Sequence, residues 1–282
     1  MKILKVIPHF SQKFGGSVTV PCELSKQLIK RNHDITIITS DYGFDPKFAE
    51  SIRNQGIKVI PFTCKMNLGN FLYTPSMNKW LKKNLKDFDV IHFHLFRSYQ
   101  NIVVRKFAKK IGVPYIVQAH GVVLPFFEKQ FLKKCFDLKW GNKILKDASC
   151  CIALTRTELD QYITMGVPEK KIVIIPNGID ITQYSDSTKG NFRSKYFIPE
   201  NVRIILSLGR IHKLKGIDLL VDAFSLLCSQ MNNVKLVIAG PDEGALPELK
   251  NQVSKLQIEN KVLFIGPLYG KEKLEAYFDS DK

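Results

Sequence analysis

The sequence predicts an α/β fold with two Rossmann-like lobes, each a doubly wound parallel sheet, of which the second is incomplete. Short β-branched apolar runs alternate with amphipathic segments, and one polar stretch near residue 180 interrupts that alternation. Apolar runs without polar alternation are typical of strands buried on both faces, and helical crossovers between them give a parallel sheet. A chain of 282 residues has room for about two domains.

The first lobe is predicted over residues 1–180. Its strands are expected at Ile3–Pro8, Asp34–Thr39, Ile57–Pro61, Val90–Phe93, Tyr115–Gln118, Cys150–Leu154 and Lys171–Ile175. Its helices are expected at Val18–Arg31, Met77–Asp87, Ser98–Ile111, Glu128–Asp147 and Thr157–Met165. Open α/β sheets bind ligands outside the carboxyl ends of their strands, so the loops that follow the strands are the first places to look for a site.

The second lobe is predicted over residues 181–282, and its first part belongs to a polar hinge that runs from Asp180 to about Pro199. Three strands alternate with three helices in the order Arg203–Leu208, Ile217–Gln230, Lys235–Ala239, Leu246–Leu256, Val262–Ile265 and Lys271–Phe278. Three strands make about half of a Rossmann lobe, so we expect a C-terminally truncated second domain.

The charge of the chain is concentrated in its first half. The net charge is +16 from 42 Lys and Arg against 26 Asp and Glu, and residues 51–150 alone hold 18 basic and 5 acidic residues. This excess favours anionic partners: nucleic acid, a phosphate-bearing substrate or an acidic membrane surface. Charge is the only support for nucleic acid, because no recognition helix, RNA-binding aromatic motif or zinc finger is apparent, so we expect no nucleic-acid partner.

The segment Glu128–Asp147 carries lysines interleaved with large apolar residues, beginning at Phe127. A basic amphipathic helix of this kind can lie on an anionic bilayer, although a core-facing stripe with a solvated lysine face is the more frequent explanation of such a pattern. No stretch approaches the roughly 18 apolar residues of a membrane span, so any membrane contact would be peripheral.

The six cysteines show neither a CxxC pair nor a His/Cys cluster at zinc spacing. They are typical of reduced thiols, and the apolar start of the chain is too short for a signal peptide. We therefore expect a cytoplasmic protein, with any membrane contact at the inner face of the plasma membrane. His92 and His94 share one strand face, but with no third ligand nearby we expect no metal site.

Candidate site residues in the first lobe follow strands. Gly15 and Gly16 stand between the first strand and the first helix, where backbone N–H groups can approach an anion, and a plain tight turn is the alternative. His120 follows the strand Tyr115–Gln118 and can bond a substrate hydroxyl, or it is structural. Thr155 and Glu158 have the spacing of a helix capping box, which explains them without function.

In the second lobe the first strand is followed by Gly209 and Arg210, with Lys215 five residues later. Arg210 can hold phosphate oxygens bidentately and Lys215 can add a point charge, although a solvated basic loop is the alternative. Gly240 and Asp242 follow the next strand and could line the same crevice, or form a turn.

Together these residues resemble the glycosyltransferase family 4 group, or group 1 glycosyltransferases, which have the GT-B architecture of two Rossmann-like lobes. The resemblance rests on the order and spacing of motifs along the whole chain. They are Gly15-Gly16, Asp89-Val90-Ile91-His92 with His94, His120-Gly121, Ile175-Pro176-Asn177-Gly178-Ile179-Asp180, Gly209-Arg210 to Lys215-Gly216, and Gly240-Pro241-Asp242.

The resemblance implies a sugar transfer from a nucleotide-diphosphate sugar to a glycan or lipid-linked acceptor, with retention at the anomeric carbon and without a metal or other cofactor. The resemblance implies that Arg210 and Lys215 bind the donor diphosphate. It also implies that Gly209, Gly240 and Asp242 line the donor side of the site. The 1–180 lobe is implied to be the acceptor side.

The same resemblance places Gly15 and Gly16 at the cleft between the lobes, beside phosphate and acceptor, and gives His120 a contact with the transferring sugar. Members of the family carry a paired-glutamate motif beyond the last strand of this sequence. Two alternatives stay open: a catalytically inactive subunit that binds acceptor or membrane, and a sugar-nucleotide epimerase of the GT-B type.

Overall fold

The computed structural model describes residues 1–68, 71–126, 129–184 and 190–281. The chain divides into two units, Met1–Gly178 and Ile179–Lys282. Each unit has its own parallel sheet with helices packed on it, so the predicted α/β fold class is confirmed.

The first unit is built on a seven-stranded parallel sheet and a separate two-stranded hairpin. In chain order its strands are β1 (Lys2–Val6), β2 (Asp34–Ser40), β3 (Lys58–Phe62), the hairpin β4 (Met66–Leu68) and β5 (Phe71–Tyr73), β6 (Val90–His94), β7 (Tyr115–Gln118), β8 (Cys150–Ala153) and β9 (Ile172–Ile174). The seven-stranded sheet has the order β3-β2-β1-β6-β7-β8-β9, so the direction of winding reverses between β1 and β6. Such a reversal opens a crevice at the carboxyl ends of the two strands.

Helices cover both faces of this sheet. They are α1 (Gly16–Ile29), α2 (Pro46–Arg53), α3 (Ser76–Asn84), α4 (Tyr99–Ile111), α5 (Gln130–Phe136), α6 (Asn142–Asp147) and α7 (Arg156–Thr164). One apolar core joins α1 and α2 to residues such as Ile35 and Ile37, and the other joins α3, α4, α6 and α7 to residues such as Phe93 and Val117. The helices that follow β1 and β6 thus pack on opposite faces, as the winding requires.

The second unit is a smaller copy of the same plan. It consists of α8 (Asn191–Lys195), β10 (Arg203–Leu208), α9 (Ile217–Cys228), β11 (Val234–Ala239), α10 (Leu246–Lys255), β12 (Val262–Gly266) and α11 (Gly270–Asp279). The three strands are parallel in the order β10-β11-β12. Apolar clusters lie on both faces of this sheet, and β11 is buried along most of its length, whereas β10 and β12 are mostly half-buried.

The predicted helix Glu128–Asp147 is present from Gln130 to Asp147, with a π-helical turn at Asp137–Gly141 between α5 and α6. Phe127 and Glu128 lie outside the described residues. At the start of the π turn, Asp137 is buried and accepts two hydrogen bonds from Arg97, at 2.8 and 2.7 Å. The apolar periodicity thus predicted the helix but not the turn inside it.

The predicted polar hinge from Asp180 to about Pro199 contains structure that the composition did not indicate. Its residues 185–189 lie outside the described part of the chain. Further along, α8 is anchored in the second unit, since Phe192 is buried and the Asp279 carboxylate accepts from the N–H groups of Gly190 (2.6 Å) and Arg193 (3.0 Å). Two short elements of the first unit, α2 and the β4–β5 hairpin, were also not predicted.

Candidate active site

The loop after β1 ends at Gly15 and Gly16, where α1 begins. Gly15 has φ +63°, which favours glycine, and its carbonyl accepts from the N–H groups of Val18 and Thr19, both at 3.0 Å. The first N–H groups of a helix have no intrahelical acceptor and carry the positive end of its dipole. Gly16 is exposed, so its N–H is open to an anion at the crevice beside β1.

His120 lies two residues beyond the end of β7, two strands from β1 along the same edge. Its backbone has φ +56°, a left-handed conformation that costs a non-glycine residue about 1–2 kcal/mol. Its Nε2 atom is 2.9 Å from Nδ1 of His94, and the two rings stack with centroids 5.2 Å apart. Burial lowers the pKa of His120 to about 4 and holds the pKa of His94 well below its ordinary value. Both rings are therefore neutral at pH 7, so one donates a hydrogen bond and the other accepts it.

Lys5 is the unexpected member of this cluster. It is fully buried in β1, opposite His92 of β6, and its Nζ donates to the carbonyl of Pro21 in α1 at 3.0 Å. Burial lowers the pKa of Lys5 to about 7, and after burial itself the charge of Lys5 is the next cause of the lowered pKa of His120. The sequence could have predicted this buried lysine, because Lys5 lies inside the apolar run Ile3–Ile7 and must be buried if that run is a central strand.

In the second unit the loops after β10 and β11 meet through their backbones. The N–H of Gly209 donates to Ala239 (2.9 Å), and the N–H of Gly240 donates to Gly266 (2.8 Å). A Cβ atom on Gly240 would lie 2.6 Å from the carbonyl carbon of Gly209 and still closer to its oxygen, so only glycine fits. Ile211 then pairs with Asp242 in a parallel bridge. The structure thus brings four predicted donor-side positions, Gly209, Arg210, Gly240 and Asp242, to one edge of the sheet.

The charged side chains at this edge differ in their hydrogen-bond partners. Arg210 is half exposed, and its Nη1 donates to Glu243 at 2.7 Å. Asp242 caps its own turn, because Oδ1 accepts from the N–H groups of Gly244 and Leu246 at 2.8 and 3.2 Å. Lys215 ends the 3-10 turn before α9 with an exposed side chain, and no contact within the described residues ties that side chain to the other four positions.

Glu158 does more than the capping box predicted. The Thr155 hydroxyl accepts from the N–H of Glu158 at 3.2 Å, as expected, but the Glu158 carboxylate does not return to Thr155. Its oxygens accept instead from the N–H groups of Leu154 (2.6 Å) and Gly121 (2.7 Å). Glu158 therefore touches the residue next to His120, a contact between residues 37 apart in sequence that the local pattern could not show.

A basic surface segment, defined as residues 129–139, stands out from the rest of the first unit. It holds four lysines and one aspartate. None of the residues of α5 is buried, and Phe131 and Leu138 are 77% and 76% exposed. Asp137 fixes the end of the segment to Arg97, whose Nη atoms also donate to the carbonyls of Val122 and Val123. Apolar and cationic side chains are thus presented together to solvent on an anchored element.

Within residues 1–68, 71–126, 129–184 and 190–281, no helix is long and apolar enough to cross a membrane. The same residues contain no group of three or more His, Cys, Asp or Glu side chains that could hold a metal ion.

Known proteins similar to this chain include proteins named as glycosyltransferases and as synthases of sugar compounds. Mannosylfructose-phosphate synthase of Agrobacterium fabrum is 25% identical over 300 residues, which cover 95% of this chain and 65% of that protein. Alpha-monoglucosyldiacylglycerol synthase of Streptococcus pneumoniae is 32% identical over 113 residues, covering 38% of this chain and 25% of that protein. The chain spans less than two thirds of the length of either relative.

The fold is shared with solved structures. The crystal structure of Anabaena HepE in complex with UDP and glucose matches with a TM-score of 0.75 at 20% identity, over 97% of this chain and 71% of that one. The sequence profile described as Glycosyl transferases group 1 matches residues 188–282. The profile described as Glycosyltransferase Family 4 matches residues 14–183, more than half of the chain, so the protein belongs to glycosyltransferase family 4.

Proposed function

We propose that this chain transfers a sugar from a nucleotide-diphosphate sugar to a hydroxyl group of a glycan or lipid-linked acceptor. The observation that carries the proposal is the edge formed by Gly209, Arg210 and Gly240 at the carboxyl ends of β10 and β11. There the half-exposed guanidinium of Arg210 accompanies two glycines, which leave the backbone open to a ligand. The complex of HepE with UDP and glucose supports it, as do the names of the relatives.

In this reaction the bond between the anomeric carbon and the diphosphate oxygen breaks, a bond to the acceptor oxygen forms, and the proton of the acceptor hydroxyl passes to the leaving diphosphate. Negative charge grows on the leaving diphosphate, and Arg210 and Lys215 stabilise it in the proposed mechanism. Glu243 keeps the guanidinium of Arg210 oriented until the diphosphate, which carries more charge, displaces it. Since side chains supply the positive charge, we propose that transfer needs neither metal nor cofactor.

The proposed role of His120 is a hydrogen bond from its neutral ring to the transferring sugar. The N–H group of Gly16, at the start of α1, is proposed to face phosphate or acceptor oxygens, whereas the N–H of Gly15 already donates to the carbonyl of Gln12 at 2.9 Å. Attack of the acceptor on the face that the diphosphate leaves gives retention, and it requires no protein nucleophile.

The test is release of nucleoside diphosphate from a panel of UDP-, GDP- and ADP-sugars, with and without glycan and lipid acceptors. We expect release that depends on an acceptor and survives EDTA. Formation of an altered sugar nucleotide without acceptor would identify an epimerase, and loss of release with EDTA would reject metal independence. Proton NMR of the first-formed product measures the anomeric configuration, and inversion would reject retention.

We also propose that the basic surface segment docks on an anionic lipid surface. Its exposed lysines, such as Lys134, match anionic headgroups, and Phe131, Leu132 and Leu138 can enter the acyl boundary. The Streptococcus pneumoniae relative is named for a diacylglycerol product, which fits an acceptor held in a membrane. Docking by this segment would bring a lipid-linked acceptor to the enzyme.

Flotation with vesicles of phosphatidylglycerol and phosphatidylcholine, and of phosphatidylcholine alone, tests this docking. We expect binding to the anionic vesicles that weakens with salt and is lost in Phe131→Ser and Lys134→Glu. Lys250→Glu is the control, because Lys250 is an exposed lysine of α10 in the other unit. Equal loss in Lys250→Glu would show that overall charge, rather than the segment, is responsible. Binding to vesicles without any donor turnover would identify an inactive docking subunit.

A further inference from the structure

The backbone of His120 is held from both sides by one helix. His120 adopts a left-handed conformation, and the next residue, Gly121, also has positive φ (+81°). The left-handed conformation of a histidine persists only where surrounding contacts determine it. The neighbours of His120 in sequence, Ala119 and Gly121, both donate their N–H groups to side chains of α7.

The first of these side chains is Glu158, which is 3% exposed. One carboxylate oxygen accepts from the N–H of Gly121 at 2.7 Å, and the other accepts from the N–H of Leu154 at 2.6 Å. Glu158 therefore bridges the loop after β7 and the loop after β8. A glutamine could accept only one of these two hydrogen bonds, because its amide nitrogen is a donor.

The second side chain is Tyr162, one helical turn after Glu158 and fully buried. Its hydroxyl oxygen accepts from the N–H of Ala119 at 3.0 Å, and its hydroxyl proton points to the carbonyl of Ile152 at 3.4 Å. Residues four apart lie on one face of a helix, so Glu158 and Tyr162 form a pair of acceptors aimed at the same loop.

The imidazole of His120 is held from a third direction by His94. The 2.9 Å contact engages Nε2 of His120, so Nδ1 is the ring nitrogen left for a substrate oxygen. His94 is itself fully buried in β6, and therefore cannot follow a moving loop. Backbone and ring are thus fixed by independent contacts.

We propose that Glu158 and Tyr162 are positioning residues that, with His94, hold His120 in one backbone conformation and one ring orientation at the carboxyl edge of the sheet. That this orientation presents Nδ1 of His120 to the transferring sugar rests on the proposed function. That Glu158, Tyr162 and His94 fix the conformation of His120 does not rest on it, and this can be measured in the full chain without any substrate.

The experiment compares Glu158→Gln and Tyr162→Phe with the control variants Glu169→Gln and Tyr269→Phe, which change exposed residues of the same types. Amide hydrogen exchange is read at Ala119, Gly121 and Leu154, and NMR of the ring nitrogens is read at His120. We expect exchange to quicken about tenfold or more, in Glu158→Gln at whichever of Gly121 and Leu154 faces the amide nitrogen, and in Tyr162→Phe at Ala119. The ring signals of His120 should shift in both variants but not in the controls.

Unchanged exchange at Ala119, Gly121 and Leu154, or ring signals that match the controls, would overturn the proposal. If a variant does not fold, Glu158→Asp serves in its place, since it keeps two acceptor oxygens on a shorter side chain and should give a smaller shift in the same direction. Where the wild type turns over a donor, kcat should fall in Glu158→Gln with KM for the donor little changed. A wild type without turnover would refute the proposed function and leave the exchange result to decide the positioning.

Discussion

Replacement of Gly240 by alanine should destabilise the second unit and leave the stability of the first unit unchanged. A Cβ atom at this position would lie 2.6 Å from the carbonyl carbon of Gly209 and closer to its oxygen, and these are backbone atoms that cannot rotate away. The loops after β10 and β11 would have to separate, which stretches the hydrogen bonds from Gly209 to Ala239 (2.9 Å) and from Gly240 to Gly266 (2.8 Å).

The magnitude follows from those contacts. Each of the two backbone hydrogen bonds contributes about 1 kcal/mol. Overpacking against a fixed backbone adds about 1–3 kcal/mol. The free energy of unfolding of the second unit should therefore fall by about 3–5 kcal/mol, which is a large part of the stability of a small domain. Gly209→Ala is the matched control, because a Cβ atom there meets nothing within 4 Å. It should change the free energy by less than about 1 kcal/mol.

Urea unfolding read by two probes separates the units. The two tryptophans, Trp80 and Trp140, both lie in the first unit, whereas circular dichroism reports both units. In Gly240→Ala we expect an early circular-dichroism transition and an unchanged tryptophan midpoint. Equal midpoints for Gly240→Ala and Gly209→Ala by both probes would refute the packing argument.

Three further changes have defined outcomes. Burial lowers the pKa of Lys5 from 10.5 to about 7, so between pH 7 and 10.5 the unfolded chain binds more protons than the folded chain. The free energy of unfolding, measured with urea, should therefore rise with pH over this range, and Lys5→Met should flatten that rise. Burial lowers the pKa of His120 from 6.5 to about 4, so wild type should lose stability as pH falls through that range, and His120→Gln should lose less. A Cβ atom on Gly141 would lie 2.5 Å from Oδ1 of Asp137, so Gly141→Ala should lower the thermal midpoint by several degrees, and Gly178→Ala, which meets nothing, should not.

The strands were the most predictable part of this protein. The strand Tyr115–Gln118 and the strand Arg203–Leu208 have the bounds that their apolar runs predicted. A central parallel strand must be apolar on both faces, so its sequence carries the signal by itself. Because ligands bind beyond the carboxyl ends of such strands, the predicted positions Gly209 and Gly240 could be found from the same pattern, and the structure joins them.

Contacts between distant segments could not be predicted. The ion pair of Arg97 with Asp137 joins residues 40 apart in sequence, and it lies at a π-helical turn inside a helix that the local pattern predicted as regular. In the same way, the capping motif predicted the hydrogen bond from the N–H of Glu158 to the Thr155 hydroxyl. It did not predict the hydrogen bond that the Glu158 carboxylate accepts from Gly121. Local patterns record helix period and caps, whereas the direction of a buried carboxylate depends on which loop the fold brings beside it.

Calorimetric binding of UDP-, GDP- and ADP-sugars to the full chain tests the central claim most directly, with Arg210→Ala and Arg203→Ala compared to wild type. Both arginines border β10, Arg210 beyond its carboxyl end and Arg203 at its exposed amino end. Loss of a charge-assisted hydrogen bond of about 1.5–3 kcal/mol predicts roughly tenfold to hundredfold weaker binding in Arg210→Ala, with Arg203→Ala like wild type. Equal affinity in the two variants, or no binding of any sugar nucleotide by wild type, would contradict the account.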